Sequence, residues 1–256
     1  MNHPYSDSRT LNRRAFLRRG AASLAALGSA PWIVPSHLLG ADGQTAPSNR
    51  INLAAIGVAG MGGADLDGLS RHCNVVALCD VDWRYAAGTF EKFPKAKRFK
   101  DFRRMFDELA NSFDAVLVAT PDHTHAVASL AAIQHGKHVY CEKPLAHSVA
   151  EVRALMNAAR EKNVVTQLGN QGHSFGSIRD FVEWIQADAI GQVHTIHAGC
   201  DAVNSGIDQL DRLKERHSVP ATLDWDLWLG PAADRPYHPT YLPANWRGWT
   251  DRKSVV

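Results

Sequence analysis

The chain is short of cysteine, of net charge and of long apolar runs, and each shortage removes a class of function. It has four cysteines in 256 residues, Cys73, Cys79, Cys141 and Cys200, and no pair has C-x-x-C spacing. A disulfide framework and a zinc ribbon are therefore not expected. Three of the four stand in or beside apolar runs, where buried free thiols belong. The formal net charge is only +2, which gives no ground for a nucleic-acid partner or an anionic membrane surface. The apolar stretch from Ala21 to about Val34 is short and broken by Gly28 and Pro31, so no permanent membrane span is expected. No internal repeat or low-complexity tract occurs. What remains is an ordinary soluble composition, 45% apolar and 21% charged, with room for one or two domains.

The first residues stand apart. Arg13-Arg14 precede Phe16-Leu17 and the short apolar stretch, an arrangement that resembles a twin-arginine export signal. Residues 1–48 are expected to be signal and linker, with "GADGQTAPSNR" as the linker and no clean A-x-A cleavage site before Pro47. The protein is accordingly expected outside the cytoplasm.

From Ile51 the pattern alternates. "INLAAIG" (51–57), "NVVALCD" (74–80), "DAVLVAT" (114–120), "KHVYC" (137–141) and "NVVTQLG" (163–169) are short apolar runs, the pattern of parallel strands buried on both faces. Helical patterns lie between them. "DFRRMFDELA" (101–110) sets Phe102, Met105, Phe106 and Leu109 on one face behind Asp101 as N-cap. "SVAEVRALMNAAREK" (148–162) opens on a Ser148/Glu151 capping box, with Val149, Val152, Leu155, Met156 and Ala159 as its stripe. This predicts an α/β fold, a doubly wound parallel sheet of the Rossmann type over 49–168. Residues 169–256 are assigned to a partial α+β second domain: a helix over 177–191 ended by Gly191, a strand over 192–200, then an aromatic excursion over a surface. That excursion carries Trp225, Trp228, Tyr237, Tyr241, Trp246 and Trp249.

Two motifs carry chemistry. "AAIGVAGMGGADLDGLSRH" follows the first strand and places Gly57, Ala59 and Gly62 where a dinucleotide fingerprint wants three glycines. The first permits a tight turn, the second lets backbone approach a pyrophosphate, and the third lets helix pack on strand. Alanine at the middle position narrows that approach, and Gly60 and Gly63 add local freedom. Asp80, at the end of the next strand, suits ribose hydroxyls. Its charge favours NAD over NADP, and nearby Arg84 keeps NADP open. The second motif is "GKHVYCEKPLAHS". In an open α/β sheet ligands bind outside the carboxyl ends of the strands, and Lys143 stands at such an end. A lysine there can hydrogen-bond a substrate hydroxyl and stabilise the alkoxide that forms as hydride leaves. A free lysine titrates near ~10.4, so it would need desolvation or positive neighbours, and Glu142 is expected to point elsewhere.

Together, "ATPDHTH", "GKHV" and "EKP" resemble the Gfo/Idh/MocA oxidoreductases, over about residues 50 to 250. The resemblance implies a nicotinamide-dependent enzyme acting on sugars or cyclitols. Gly57, Ala59, Gly60, Met61 and Gly62 would line the pyrophosphate and Asp80 would hold the ribose. Thr120, Pro121 and His125 would edge the cofactor, Glu142, Lys143 and Pro144 would form the loop beside the nicotinamide, and Lys143 would be catalytic. The twin-arginine start and the Trp-rich segment resemble a secreted branch of that family. Asp122-His123-Thr124-His125 matches no common zinc spacing, so no metal is expected and His123 is given a surface or capping role. The tryptophans suit packing or oligomer contact, or a substrate wall with Trp246 and Arg247 facing the pocket. Family members also carry a D-x-x-x-H helix and further strands, with which homo-oligomers are expected. This chain reads "WRGWTDRKSVV" instead, so an inactive truncated fragment or a nucleotide-binding remnant is the alternative expectation.

Overall fold

The computed structural model describes residues 46, 49–199, 213–243 and 245–248; the twin-arginine segment, Cys200 and Trp249 lie outside the described residues. The chain divides into two units, Met1–Asn49 and Arg50–Val256, and the sheet and cleft belong to the second.

Strands β1 (Ile51–Ile56), β2 (Cys73–Cys79), β3 (Lys97–Phe99), β4 (Ala115–Val118), β5 (His138–Glu142) and β6 (Thr166–Gly169) form one parallel sheet in the order β3-β2-β1-β4-β5-β6. Helices α1 (Met61–Leu69), α2 (Ala87–Lys92), α3 (Phe102–Leu109), α4 (His125–Gln134) and α5 (Val149–Lys162) connect them. This is the Rossmann order. Its strand sequence reverses between β1 and β4, which opens a crevice at their carboxyl ends.

The pleat explains why the central stretches of β1 and β4 are apolar. Leu53 and Ala55 pack to one side with Val58, Leu66, Leu78 and Phe90. Ala54 and Ile56 pack to the other with Met105, Phe106, Val116, Val118 and Ile133. Both faces are covered, so Leu53–Ile56 of β1 and Val116–Val118 of β4 are apolar at every position.

Local signals act as expected in α3 and only in part in α5. Asp101 accepts from Arg103 N–H at 2.9 Å at the start of α3, and Met105 and Phe106 are buried. Ser148 and Glu151 form the capping box of α5, but Val149 and Met156 are exposed. Of the stripe, Leu155, Val152 and Ala159 meet the core. β3 and α2 escaped the sequence reading because Lys97–Phe99 offers one buried residue, Phe99, and no alternation long enough to register.

Beyond β6 the structure departs further. β6 is the sheet edge and Thr166, Gln167 and Leu168 are exposed, against the expectation of a strand buried on both faces. The expected helix is α6 (Gly176–Gln186), and it ends before Gly191. Asp188, at φ 56°, takes the left-handed position, and Ala189 N–H reaches back to Trp184 O at 3.0 Å. No strand forms over 192–199. Val193 and Ile196 have β-type side chains, yet no described strand offers them a backbone ladder, and both are exposed. The aromatic excursion is not wholly irregular: Asp224 caps the short helix α7 (Trp225–Leu229) through Leu227 N–H. Trp228, Tyr241 and Trp246 are buried there with Leu223 and Leu229. This cluster docks at the end of β2 by an antiparallel bridge between Asp82 and Leu223, with Asp224 N–H donating to Val81 O at 2.9 Å. Among the described residues no helix is long and apolar enough to cross a membrane.

Candidate functional site

The turn after β1 is built where only glycine fits. Gly57 has φ +77°, and a Cβ on it would fall 2.7 Å from the Ala119 and Thr120 backbone; one on Gly62 would lie 1.9 Å from Gly57 O. The two glycines let the turn, β4 and α1 meet at backbone distance. Gly60, at φ +54°, ends the turn, and the first turn of α1 carries no acidic side chain and no side-chain cap. A helix start of that kind accepts an anion. Ala59, at the position where the fingerprint has glycine, is half-buried and lines the cleft.

That cleft, about 170 Å³, runs along the carboxyl ends of β1, β2 and β4. Gly57, Ala59, Gly60 and Met61 line it from the glycine turn, Asp80, Asp82 and Tyr85 from the turn after β2, and Thr120, Pro121 and Thr124 from the end of β4. Leu227, Trp228, Trp246 and Arg247 close it from the aromatic segment. Trp246 and Arg247, expected as a substrate wall, thus line the same cleft as Asp80, and Lys143 is not among the lining residues. Arg247 lies over the Trp246 ring at 4.2 Å.

Asp80 does more than face the cleft. Its Oδ2 accepts from Val58 N–H and its Oδ1 from Asp82 N–H, both at 2.9 Å. Burial pushes its pKa up to about 6, against those amide donors, which favour the charged form. The residue therefore ties the glycine turn to the turn after β2. Asp82 was missed in the sequence, although its acid-x-acid spacing to Asp80 was there to be read. Its Oδ1 accepts from Arg84 and Tyr85 N–H.

The second group of predicted residues lies at β5. Lys143 is exposed in the turn just past the strand. Glu142 is buried and points inward, as the sequence reading requires: Gln171 Nε2 donates to Glu142 Oε1 and, at 3.0 Å, to Asp65 Oδ1. Burial, and then the Glu142 charge, push the Asp65 pKa up to about 6. A Cβ on Gly169 would lie 2.2 Å from Glu142 Oε1, so this glycine makes room for the carboxylate. Asp65 and Gln171 were invisible in the sequence because α1 and the turn after β6 meet only in the fold. His125 does not line the cleft. It is buried between Thr120 and Pro144. His123 is buried, not on the surface, and its Nε2 lies 3.0 Å from Trp228 O, so it anchors the aromatic segment.

Cys79 and Cys141 are buried free thiols and Cys73 is half-buried. Away from the cleft, Glu215, His217 and His238 bring one ligand atom each within 4.8 Å of one another. His238 Nδ1 accepts from Thr240 N–H at 3.1 Å, so it serves as a local cap.

Two family models match the chain. One, described as an oxidoreductase family with an NAD-binding Rossmann fold, covers residues 51–170. The other, described as the C-terminal alpha/beta domain of an oxidoreductase family, covers residues 203–255. A levoglucosan dehydrogenase of Pseudarthrobacter phenanthrenivorans is 32% identical over 116 residues, 45% of this chain and 29% of that protein. An inositol 2-dehydrogenase of Rubrobacter xylanophilus is 36% identical over 118 residues, 44% of this chain and 33% of that protein. An uncharacterized oxidoreductase of Streptococcus pneumoniae is 39% identical over 93 residues, 36% of this chain and 25% of that protein. The matches span about a quarter to a third of the length of these curated relatives. Among solved structures, a myo-inositol 2-dehydrogenase from Lactobacillus plantarum aligns with TM-score 0.52 at 21% identity, covering 57% of this chain and 43% of that one, which speaks to fold alone. GenD2 from gentamicin A biosynthesis, in complex with NAD, aligns with TM-score 0.50 at 25% identity, covering 55% and 40%.

Proposed function

We propose that the chain is an oxidoreductase of the Gfo/Idh/MocA family, to which the two matching models belong, and that it interconverts a secondary alcohol and the corresponding ketone on a sugar, sugar derivative or cyclitol, with Lys143 handling the hydroxyl proton. The observation that carries this reading is the division of labour at the end of β5. Glu142 is tied inward by Gln171, while its neighbour Lys143 is left exposed at the carboxyl edge of the sheet. The names of the inositol and levoglucosan dehydrogenases support the substrate class.

The residues fit a nicotinamide dinucleotide. Gly57 and Gly62 leave no room for a Cβ at the turn, α1 opens without an acidic residue, and Asp80 and Asp82 line the cleft from the turn after β2. When bound, that cofactor supplies the two-electron acceptor or donor. The chain's own residues do the rest. Backbone N–H groups at the start of α1 hold phosphate charge. The two carboxylates accept ribose hydroxyls and disfavour a 2′-phosphate, a preference that Arg84 softens. Lys143 hydrogen-bonds the substrate oxygen and stabilises its developing charge. Residues 1–48, as an export signal, imply a cofactor loaded before export and retained, with a second substrate to restore it.

The test is turnover by the full chain. Reduction of NAD with myo-inositol or levoglucosan is expected, and Lys143→Ala should lower kcat by ~100-fold or more while leaving NAD affinity within about threefold. Equal turnover by the variant would remove Lys143 from the chemistry. A second reading, nucleotide binding without turnover, has one observation in its favour, the absence of Lys143 from the cleft lining. NAD binding without turnover on any polyol would favour it.

A further inference from the structure

His125 opens α4 and is 1% exposed. Its Nδ1 lies 2.6 Å from Pro144 O and its Nε2 lies 2.7 Å from Thr120 O. A carbonyl oxygen only accepts. A neutral imidazole has one N–H and one lone pair, so in either tautomer one of these contacts would set lone pair against lone pair. Only the imidazolium carries two donors. Both distances fall at the short end for N–H···O bonds, where charge-assisted bonds lie.

We propose that His125 is a positioning residue held as a buried imidazolium, which staples the cofactor-cleft wall at Thr120 to the loop that carries Lys143. The clause about Lys143 rests on the function proposed above; the protonation state does not. Thr120 is in the cleft lining and Pro144 directly follows Lys143 in the chain. With both protons in place, the two loops are joined through one rigid ring. Loss of either proton turns one bond into a repulsion and releases one loop.

The surroundings agree. Burial opposes the charge, while Cys141 on β5 and the two carbonyls favour it, and the balance raises the ring pKa to about 9. Cys141 is the titratable group that meets the ring from β5; its thiol donates weakly toward Leu145 O at 3.8 Å. The β4 and β5 loops meet the ring through their carbonyl groups, and His123 turns away to the Trp228 carbonyl.

The experiment is a pH titration of the full chain labelled with 15N, following the ring nitrogens of His125 and the amides of Lys143 and Leu145. At pH 7.5 both ring nitrogens should show protonated-type shifts, each with its own N–H proton. The two amides should shift with the same midpoint as the ring, and His125→Phe should abolish that shift. One ring nitrogen of unprotonated type at pH 7.5 overturns the imidazolium. A ring that titrates while the amides stay still overturns the positioning role. If His125→Phe does not fold, the wild-type titration decides both points alone. Loss of turnover in Lys143→Ala is a separate readout, so failure of the catalytic reading leaves this result distinguishable.

Discussion

Strand β4 and helix α6 both carry large apolar side chains, and these end in opposite environments. Val116, Leu117 and Val118 are fully buried, whereas Phe181 and Trp184 of α6 are 54% and 60% exposed. The difference is one of neighbours. β4 lies between β1 and β5 with helices on both faces, so each side chain is covered whichever way the pleat turns it. Among the described residues nothing covers α6. An apolar pattern sets the local conformation, but burial is collective, and stability should therefore be concentrated in residues 51–169.

Paired truncations would break that comparison most sharply. Phe106→Ala removes a buried ring from the core that also holds Val116 and Val118 and should cost about 3–5 kcal/mol; Phe181→Ala in α6 should stay within about 0.5 kcal/mol. Urea unfolding of both variants measures this, and equal losses would show that α6 is as integrated as the sheet.

The next effect is the pH dependence of the module itself. The His125 pKa is raised in the fold from 6.5 to about 9. Its contribution is thus fully present below pH 6.5 and is lost as pH rises through 9. At about 1.4 kcal/mol for each pH unit, this is about 3 kcal/mol. Unfolding free energy from pH 6 to pH 9.5 should fall in wild type and stay flatter in His125→Phe; a parallel fall would assign the loss elsewhere.

A smaller effect of similar sign belongs to Asp65, raised from 3.8 to about 6. Its protonated form fits the fold, so its contribution is present below pH 3.8 and is lost as pH rises through 6. Asp65→Asn should therefore stabilise the protein at pH 7.5, by about 1 kcal/mol once solvent screening of a half-exposed group is allowed for. It should give no gain at pH 3.5. Destabilisation at pH 7.5 would show that the Gln171 bridge outweighs the carboxylate's desolvation.

Much of the module was legible because its signals are local. Alternating runs, the Asp101 cap, the Ser148 capping box and the glycine turn each act within a few residues, and each takes its expected place. What could not be read depends on distant partners. The edge position of β6, the exposure of Val149 and Met156, and the missing ladder for 192–199 follow from which elements adjoin them. The site divides the same way. Gly57 and Gly62 were readable from spacing. The tie from Asp80 to Val58, the Asp65–Gln171–Glu142 bridge and the two carbonyls around His125 join residues far apart in the chain.

The most direct test of the central claim is calorimetric titration of NAD into the full chain beside Gly57→Ala. In that variant a Cβ would meet the Ala119 and Thr120 backbone at 2.7 Å, at a φ that alanine resists. Saturable binding of NAD by the wild type, weakened about tenfold or more in a folded Gly57→Ala, is the predicted result. A wild-type chain that stays empty, or a folded variant that binds equally well, would contradict it.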